Sequence, residues 1–358
     1  MKVLVTGHLG YIGSVLTPML LERGHDVVGL DVDLYRRSTF GAPPPQVPTL
    51  YKDVRDVQVE DLEGFDAIIH LAALSNDPLG NLNPELTYEI NYRASVRLAR
   101  LAKAAGVPRF LFSSSCSTYG AAGEDFIDEN GAFNPVTPYG HSKVLVEQEV
   151  SQLADEDFSP TFLRNATAYG VSPRLRFDLV LNNLVAWAYT TGRIYLKSDG
   201  TPWRPIVHIE DISRAFVTML EAPRELIHNE AFNVGRTEEN YQIRDLAQIV
   251  KETVPGCQIE YAPDAGPDKR CYRVDCSKLA RTFPELRLEW DARRGAQELY
   301  EAYRKVGVTV DEFEGERYKR IDHIRSLIAQ GLLTPDLRWR EPETEQAARV
   351  AERGSYVD

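Results

Sequence analysis

The feature that most constrains this chain is a glycine-rich turn near its N-terminus, Thr6-Gly-His-Leu-Gly-Tyr-Ile-Gly13. Residues 1–5 form a short apolar run, which predicts a buried parallel strand. Residues 11–23 show helical spacing, although Pro18 removes a hydrogen bond from such a helix. Strand, glycine-rich turn and helix in this order predict a doubly wound α/β fold, a parallel Rossmann sheet whose first turn cradles a dinucleotide.

Each glycine has its own task in such a turn. Gly7 allows the tight bend, Gly10 lets the backbone approach a pyrophosphate, and Gly13 lets the helix pack close to the sheet. The start of the helix, at Tyr11 and Ile12, offers free N–H groups and the positive end of a dipole to the phosphates. Glycine turns serve many purposes, so it is the strand–helix context that favours a cofactor site here.

The second predicted strand, residues 26–31, indicates which dinucleotide is bound. It ends in Asp31, where a carboxylate accepts hydrogen bonds from the adenosine ribose and repels a 2′-phosphate. NAD is therefore expected in preference to NADP. Arg36 and Arg37 follow closely and leave NADP open, although a solvated loop explains both arginines better.

Two later segments add predicted contacts along the cofactor. A third strand at residues 51–54 places Asp53 and Val54 beside the adenine. A buried strand at residues 66–71 runs into small residues that let a cofactor approach the backbone. The residues of this segment predicted to contact the cofactor are Leu71, Ala72 and Ala73. The residue predicted to contact the substrate is Ser75.

Two polar residues in apolar surroundings have alternative interpretations. His70 is better explained as a core histidine with satisfied hydrogen bonds than as a catalyst. Asn91 interrupts the apolar pattern of a helix predicted over residues 84–105, which ends at Gly106-Val-Pro108. Asn91 either holds a neighbouring loop at the cofactor site or is an ordinary surface residue.

Three residues point to proton-transfer chemistry. The strand at residues 109–115 delivers Ser115 at its carboxyl end, where ligands of parallel sheets bind. A helix over residues 138–150 puts Tyr139 and Lys143 on one face. The cation favours the tyrosinate and lowers the pKa of the phenol towards working pH. Because Tyr-x-x-x-Lys also occurs by chance, the assignment depends on Ser115 and the upstream turn.

These motifs occur in a recognisable order: Thr-Gly-x-x-Gly-x-x-Gly, His-Leu-Ala-Ala, Ser-Ser-Ser-x-x-x-Tyr-Gly and Tyr-x-x-x-Lys. Over about residues 1–290 the chain resembles the extended short-chain dehydrogenase/reductases, and within them the nucleotide-sugar epimerase/dehydratase branch. The resemblance implies that Ser115 is the catalytic hydroxyl and Tyr139 the proton-transferring base. Lys143 is implied to bind the nicotinamide ribose and tune Tyr139, with NAD tightly held and recycled.

The same resemblance implies a substrate site in a smaller mixed α/β domain. Thr167 stands where family members often carry Asn, which puts that side-chain contact in doubt. Asn183 is implied to hydrogen-bond the substrate diphosphate, and Arg204 to clamp it with its bidentate fork. Arg270 is a second candidate clamp, with a solvent-exposed salt bridge as the alternative.

The reaction itself has several candidates. In the 4,6-dehydratases of this family an Asp-Glu pair follows the catalytic Ser or Thr, whereas this chain has Cys116 and Ser117. Serine is too weakly basic to replace the glutamate, and Cys116 is expected to be an inert buried thiol. We therefore predict epimerisation through a keto-sugar, at carbon 4. A dehydratase, a keto-sugar reductase and an inactive NAD-binding regulator are the alternatives.

Composition excludes other classes of partner. The formal net charge of -12 argues against nucleic-acid or acidic-membrane binding. No apolar run approaches the roughly 20 residues of a membrane span. The four cysteines lack Cys-x-x-Cys pairing and a partnering His spacing, so we expect no metal site and no disulfide framework, and a cytoplasmic location.

We predict an NAD-binding domain at residues 1–170, to which residues 207–235 return. Residues 171–340 are predicted to form the substrate-binding domain and a helical extension, and residues 341–358 a polar tail. Helices at about residues 84–105 and 138–154 resemble those of a four-helix dimer interface in the family. Val144, Leu145 and Val150 would pack against a partner, although burial within one chain explains them equally. A homodimer is the expected assembly.

Overall fold

A computed structural model describes residues 1–75, 83–266 and 271–340. The predicted contact of Arg270 and the polar tail from residue 341 lie outside these ranges. The strands in the described residues are β1 Lys2–Thr6, β2 Asp26–Leu30, β3 Thr49–Leu50, β4 Ala67–His70, β5 Arg109–Ser115, β6 Ala121–Ile127, β7 Ser159–Asn165, β8 Thr167–Tyr169, β9 Arg193–Ser198, β10 Trp203–His208, β11 Glu230–Val234, β12 Asn240–Gln242, β13 Gln258–Gly266 and β14 Cys271–Val274.

Most helices connect or cover these strands. They are α1 Gly13–Glu22, α2 Pro84–Thr87, α3 Ala94–Ala104, α4 Pro138–Ser151, α5 Val180–Thr191, α6 Ile209–Glu221, α7 Arg224–Ile227, α8 Ile243–Thr253, α9 Ser277–Thr282, α10 Ala292–Val306, α11 Val310–Glu314 and α12 Arg320–Ala329. A π-helical segment, Tyr88–Arg93, joins α2 to α3, and short 3-10 turns span Val54–Asp56, Val59–Leu62 and Cys116–Thr118.

The main sheet has seven parallel strands in the order β11-β7-β5-β4-β1-β2-β3. Strand order reverses between β1 and β4, which opens a crevice at the carboxyl ends of the strands. The predicted doubly wound parallel fold is confirmed. β11 pairs with β7 at the edge, so residues 230–234 return to this sheet.

Both faces of the main sheet are buried. Val3 and Val5 of β1 point into one core, where they meet Leu16 of α1 and Phe216 of α6. Leu4 points into the opposite core, which α3 and α4 complete. Since successive strand residues alternate between faces, a continuous apolar run such as β1 requires helices on both sides.

Two local expectations were wrong. The third strand is β3, Thr49–Leu50, rather than residues 51–54, because Asp53 caps a 3-10 turn by accepting a hydrogen bond from the Arg55 N–H at 2.8 Å. The helix predicted over residues 84–105 is divided by a π-helical segment, Tyr88–Arg93, which contains Asn91.

Smaller sheets and helices cover the carboxyl edge of the main sheet. The small sheets pair β8, β10 and β12, then β9 with β13, and β6 with β14. Helices α5, α8 and α10 enclose a separate apolar core with them. Within the described residues, no helix is both long and apolar enough to span a membrane.

The chain after α10 folds back to the main sheet. Ile324 and Leu327 of α12 pack with Leu333, Leu74 and Leu86, and so join the extension to the loop after β4 and to α2. An isolated antiparallel bridge between residues 333 and 339 closes the end of this segment. The sequence alone indicated a helical extension here but no function for it.

Candidate active site

One elongated cavity of about 1150 Å³ lies along the carboxyl ends of the main strands. Ligand pockets commonly measure about 300–1,000 Å³, so this volume leaves room for a cofactor and a substrate together. The sequence-predicted residues that line it are Gly7, Gly10, Tyr11, Ile12, Gly13, Asp31, Asp53, Val54, Leu71, Ala72, Ala73, Ser75, Ser115, Tyr139, Lys143, Thr167, Asn183 and Arg204.

The glycine-rich turn packs so closely against its neighbours that two of its positions have no room for a side chain. Gly7 has a φ of 74°, and a Cβ there would lie 2.8 Å from the Ala72 nitrogen. A Cβ on Gly13 would lie 2.4 Å from the Gly7 carbonyl oxygen. The turn and the start of α1 also line the cavity, so backbone N–H groups are available there to a pyrophosphate.

Two carboxylates occupy the end of the cavity next to β2. Asp31 accepts hydrogen bonds from the Leu9 N–H at 3.0 Å and the Asp33 N–H at 2.7 Å, while burial raises the pKa of Asp31. Asp33, which sequence reasoning missed, lines the same end and pairs with Arg174 at 3.1 Å. Its signal was only its position two residues after Asp31. Because Arg174 compensates the charge of Asp33, Asp31 is the carboxylate that opposes a 2′-phosphate here.

The two arginines that left NADP open are occupied by distant residues. The Arg36 guanidinium lies 4.0 Å from the Trp339 ring centroid, and Arg37 donates to the Gln330 side chain at 3.1 Å. Asp53 is held by Arg55, whose hydrogen bonds outweigh the effect of burial and lower the pKa of Asp53. The local charges therefore favour NAD.

Local capping sets the catalytic helix in place. Thr137 caps α4 by accepting a hydrogen bond from the Gly140 N–H at 3.1 Å, and Pro138 occupies the first turn. Tyr139 consequently lies in the first turn of the helix at the cavity wall, and Lys143 follows one turn later on the same face.

Lys143 is buried at the carboxyl end of β5. Its Nζ donates to the Ser113 carbonyl at 2.6 Å and lies 5.6 Å from the Tyr139 ring centroid. Burial lowers the pKa of Lys143 to about 7. Ser115 accepts a hydrogen bond from the Ser117 N–H at 3.1 Å. The three residues that the motifs singled out therefore share one wall, where a hydroxyl proton can be transferred.

A buried ion pair supports that wall and was missed by sequence reasoning. The Arg164 guanidinium contacts Glu147 at 2.7 Å, and Glu147 accepts a hydrogen bond from the Ser114 hydroxyl. Arg164 also donates to the Tyr119 hydroxyl at 2.9 Å. The available signal was that Glu147 lies one further turn along α4 from Lys143, on the same face.

Two other residues considered from the sequence lie behind the cavity rather than on it. His70 contacts the hydroxyls of Thr6 at 2.6 Å and Ser95 at 2.7 Å, and burial lowers the pKa of His70 to about 3. Asn91 bonds both backbone groups of Leu74, at 2.7 and 3.0 Å. Neither lines the cavity formed by the described residues, so His70 is a core histidine and Asn91 holds a cavity loop.

Cys116 also lies behind the cavity. Its side chain is 1% exposed, and its Sγ contacts the Arg164 carbonyl at 3.1 Å. Burial raises the pKa of the Cys116 thiol, which keeps it protonated. Ser117 does line the cavity, so the position of a dehydratase glutamate carries only a hydroxyl.

The opposite wall carries amide and guanidinium groups. Asn183 on α5 donates to the Phe177 carbonyl at 2.9 Å, and Arg204 on β10 donates to the Trp203 carbonyl at 2.8 Å. Arg176, which sequence reasoning missed, donates to the Ser75 hydroxyl at 3.2 Å and pairs at 2.6 Å with Asp178, which also lines the cavity. This wall is suited to an anionic substrate because several donors converge on it.

Comparison with known proteins agrees with this geometry. A model of the NAD dependent epimerase/dehydratase family matches residues 3–235. A UDP-glucose 4-epimerase of Lactobacillus helveticus is 30% identical over 303 residues, covering 79% of this chain and 90% of that protein. One of Bacillus subtilis is 28% identical over 330 residues, covering 84% and 94%.

Among solved structures, the UDP-glucose 4-epimerase of Thermus thermophilus in complex with NAD has a TM-score of 0.71 at 25% identity. The match covers 85% of this chain and 99% of that one. The predicted family and the predicted use of NAD are confirmed. The chain belongs to the NAD-dependent epimerase/dehydratase family of enzymes.

Proposed function

We propose that this enzyme is a nucleotide-sugar epimerase that inverts carbon 4 of a UDP-sugar. The observation that carries the proposal is the composition of the catalytic wall. Ser115, Tyr139 and Lys143 line the cavity, while Cys116 is turned away from it and Ser117 offers no carboxylate. Among the described residues, the turn that follows Ser115 carries no carboxylate to act as the base for eliminating water, and Asp178, which also lines the cavity, is paired with Arg176 at 2.6 Å.

Each residue has a defined task in this proposal. Tyr139 takes the proton of the sugar hydroxyl, and Ser115 hydrogen-bonds the oxygen that becomes the ketone. The ammonium form of Lys143 stabilises the tyrosinate from one turn away. NAD, when bound, supplies the acceptor for the carbon-bound hydride and later returns that hydride. Inversion follows if the keto-sugar turns over between the two transfers.

The substrate side of the proposal rests on donors and on relatives. Asn183 and Arg204 would hold the diphosphate, with Arg176 close to the sugar. Curated relatives named UDP-glucose 4-epimerase support a UDP-sugar. A keto-sugar reductase is less well supported because it must exchange its dinucleotide after every turnover.

The assembly and location are part of the same proposal. Val144 and Val150 are buried within one chain, and Leu145 is half-buried, so these residues alone do not require a partner. We retain the homodimer from the resemblance of α3 and α4 to a four-helix interface, with the cytoplasm as the location. Light scattering at micromolar concentration should give the mass of a dimer; a monomer mass would contradict it.

The function is tested by incubating the enzyme with UDP-glucose, UDP-glucuronic acid and dTDP-glucose and following the sugar protons by NMR. We expect the 4-epimer of one UDP-sugar to accumulate to equilibrium without added dinucleotide. A Tyr139→Phe variant serves as the control for contaminating activity. A 6-deoxy-4-keto product, or oxidation that consumes NAD stoichiometrically, would contradict the proposal.

A further inference from the structure

The chain beyond residue 308 forms part of the cavity that the motifs define. The residues that line the cavity from this segment are Phe313, Glu314, Lys319, Arg320, Ile321 and Leu337. The family model ends at residue 235, so it assigns this segment no role. We call residues 309–340 the cover.

The cover is attached to the adenosine end of the cavity. The Trp339 indole N–H donates to the Val32 carbonyl at 2.6 Å, and His323 contacts the Leu34 carbonyl at 3.1 Å. Arg338 pairs with Asp56, two residues beyond the cavity residue Val54. All three attachment points follow β2 or β3, where the adenosine carboxylates lie.

Arg320 is a buried cation with unused hydrogen-bonding capacity. Its side chain is 6% exposed, and its guanidinium lies 3.5 Å from the Tyr35 ring centroid. Nη2 donates to the Arg174 carbonyl at 3.0 Å, whereas Nη1 has no hydrogen-bond acceptor among the described residues. A buried donor without an acceptor is costly, so a ligand oxygen is the expected partner.

The neighbours of Arg320 indicate which ligand supplies that oxygen. Arg174, which accepts from Arg320 through its carbonyl, itself donates to the Leu9 carbonyl at 3.2 Å within the glycine-rich turn. Arg174 thus links Arg320 to the glycine-rich turn, and the other charged groups around Arg320 are Arg176 and Asp178. The donors assigned to the substrate diphosphate, Asn183 and Arg204, belong to the opposite wall.

We propose that the cover retains the dinucleotide and that Arg320 donates to an oxygen of its pyrophosphate. This inference rests on the proposed function only in that a dinucleotide occupies the cavity. It adds a binding residue that lies 85 positions beyond the end of the family match. Arg36 and Arg37, held by Trp339 and Gln330, fasten the cover instead of binding phosphate.

The role of Arg320 is tested by titrating ADP-ribose and adenosine into Arg320→Met protein stripped of dinucleotide. A charge-assisted hydrogen bond to phosphate predicts about tenfold or greater weakening for ADP-ribose, and no change for adenosine, which carries no phosphate. Arg325→Met is the matched control, because Arg325 lies exposed on the same helix. Unchanged ADP-ribose affinity, or equal losses for both ligands, would overturn the assignment.

If Arg320→Met does not fold, Arg320→Lys keeps the charge and loses the fork. It should bind ADP-ribose severalfold more weakly than the parent, and equal affinity would overturn the assignment.

The retaining role is tested separately with Trp339→Ala, which should release bound NAD severalfold faster in a dilution experiment. Unchanged release of NAD would refute the proposal that the cover retains the dinucleotide. Because these readouts need no turnover, an enzyme that keeps NAD but converts no sugar would refute only the proposed function.

Discussion

The two ends of the cavity are built in different ways. The catalytic end takes Ser115, Tyr139 and Lys143 from one strand and the first turns of one helix. The adenosine end joins the loop after β2 to residues about three hundred positions later, as the bond from Trp339 to the Val32 carbonyl illustrates. One end is therefore made by local geometry and the other by long-range packing.

This difference separates proton transfer at one end of the cavity from retention of the cofactor at the other. Proton transfer needs a fixed distance between a few groups, which a strand end and a helix turn supply. Holding a cofactor through many turnovers needs enclosure and many weak contacts, which a late segment of chain can supply. Substitutions at one end should therefore leave the property of the other end intact.

The largest expected effect is at the catalytic end. Tyr139→Phe removes the hydroxyl to which we assign the proton transfer, and it should reduce turnover by about 10²–10⁴-fold while NAD remains bound. Turnover is measured by NMR and bound NAD by absorbance after denaturation. Tyr261→Phe, on an exposed strand residue, should change neither. Loss of bound NAD from the Tyr139→Phe protein would contradict the conclusion that substitutions at one end leave the property of the other end intact.

The support of the catalytic wall should appear in stability. Glu147→Gln leaves the buried Arg164 without its carboxylate and should lower the free energy of unfolding by about 3–5 kcal/mol. Glu85→Gln is the control, because its pair with Arg93 is exposed and should contribute less than about 1 kcal/mol. Urea denaturation of both variants makes the comparison. Equal effects would mean that the buried network does not hold the wall.

The buried Lys143 should give the catalytic end a characteristic pH dependence. Its pKa is about 7 in the folded protein and 10.5 as the ordinary value, so between these values the unfolded chain binds more protons. Stability of the parent should therefore gain about 2 kcal/mol from this group between pH 7 and 9, and Lys143→Met should lack that gain. The difference between the two denaturation curves isolates the group. A difference that is constant with pH would contradict the burial.

At the adenosine end, a smaller effect on specificity is expected. The parent should bind NAD more tightly than NADP, and Asp31→Ala should reduce that preference by about tenfold. Calorimetric titration of both dinucleotides into stripped protein measures the ratio. Preferential binding of NADP by the parent would contradict this account and would return Arg36 or Arg37 to the phosphate site.

The smallest expected effect is at Cys116. Cys116→Ala should keep turnover within about twofold, because the thiol is buried, protonated and turned away from the cavity. Turnover in deuterated water is the accompanying measurement. Deuterium at carbon 3 or carbon 5 would mean that the region around Cys116 performs proton chemistry.

The sequence was sufficient where local rules determine geometry. A glycine at φ 74°, a strand that ends in serine and a Tyr-x-x-x-Lys helix each constrain only their neighbours. These patterns predicted a doubly wound parallel sheet and named residues that line the cavity. Asp53 shows the limit, because it accepts a hydrogen bond from the Arg55 N–H and begins a 3-10 turn where a strand was predicted.

Long-range partners could not be predicted from one sequence. Glu147 and Arg164 each have the pattern of a surface charge, and only the packing of α4 on the main sheet brings them together. The cover was recognisable as a helical extension but not as part of the cavity, because Arg320 and Trp339 belong to no motif. Their partners lie in loops whose paths depend on the whole fold.

The central claim, inversion at carbon 4 with return of the same hydrogen, is tested most directly with a UDP-sugar that carries deuterium at carbon 4. The enzyme is allowed to reach equilibrium in ordinary water, and both epimers are examined by NMR and mass spectrometry. The account predicts that the new epimer keeps its deuterium at carbon 4. Replacement of that deuterium by solvent hydrogen, or its transfer to carbon 6 in a deoxy-keto product, would contradict the account.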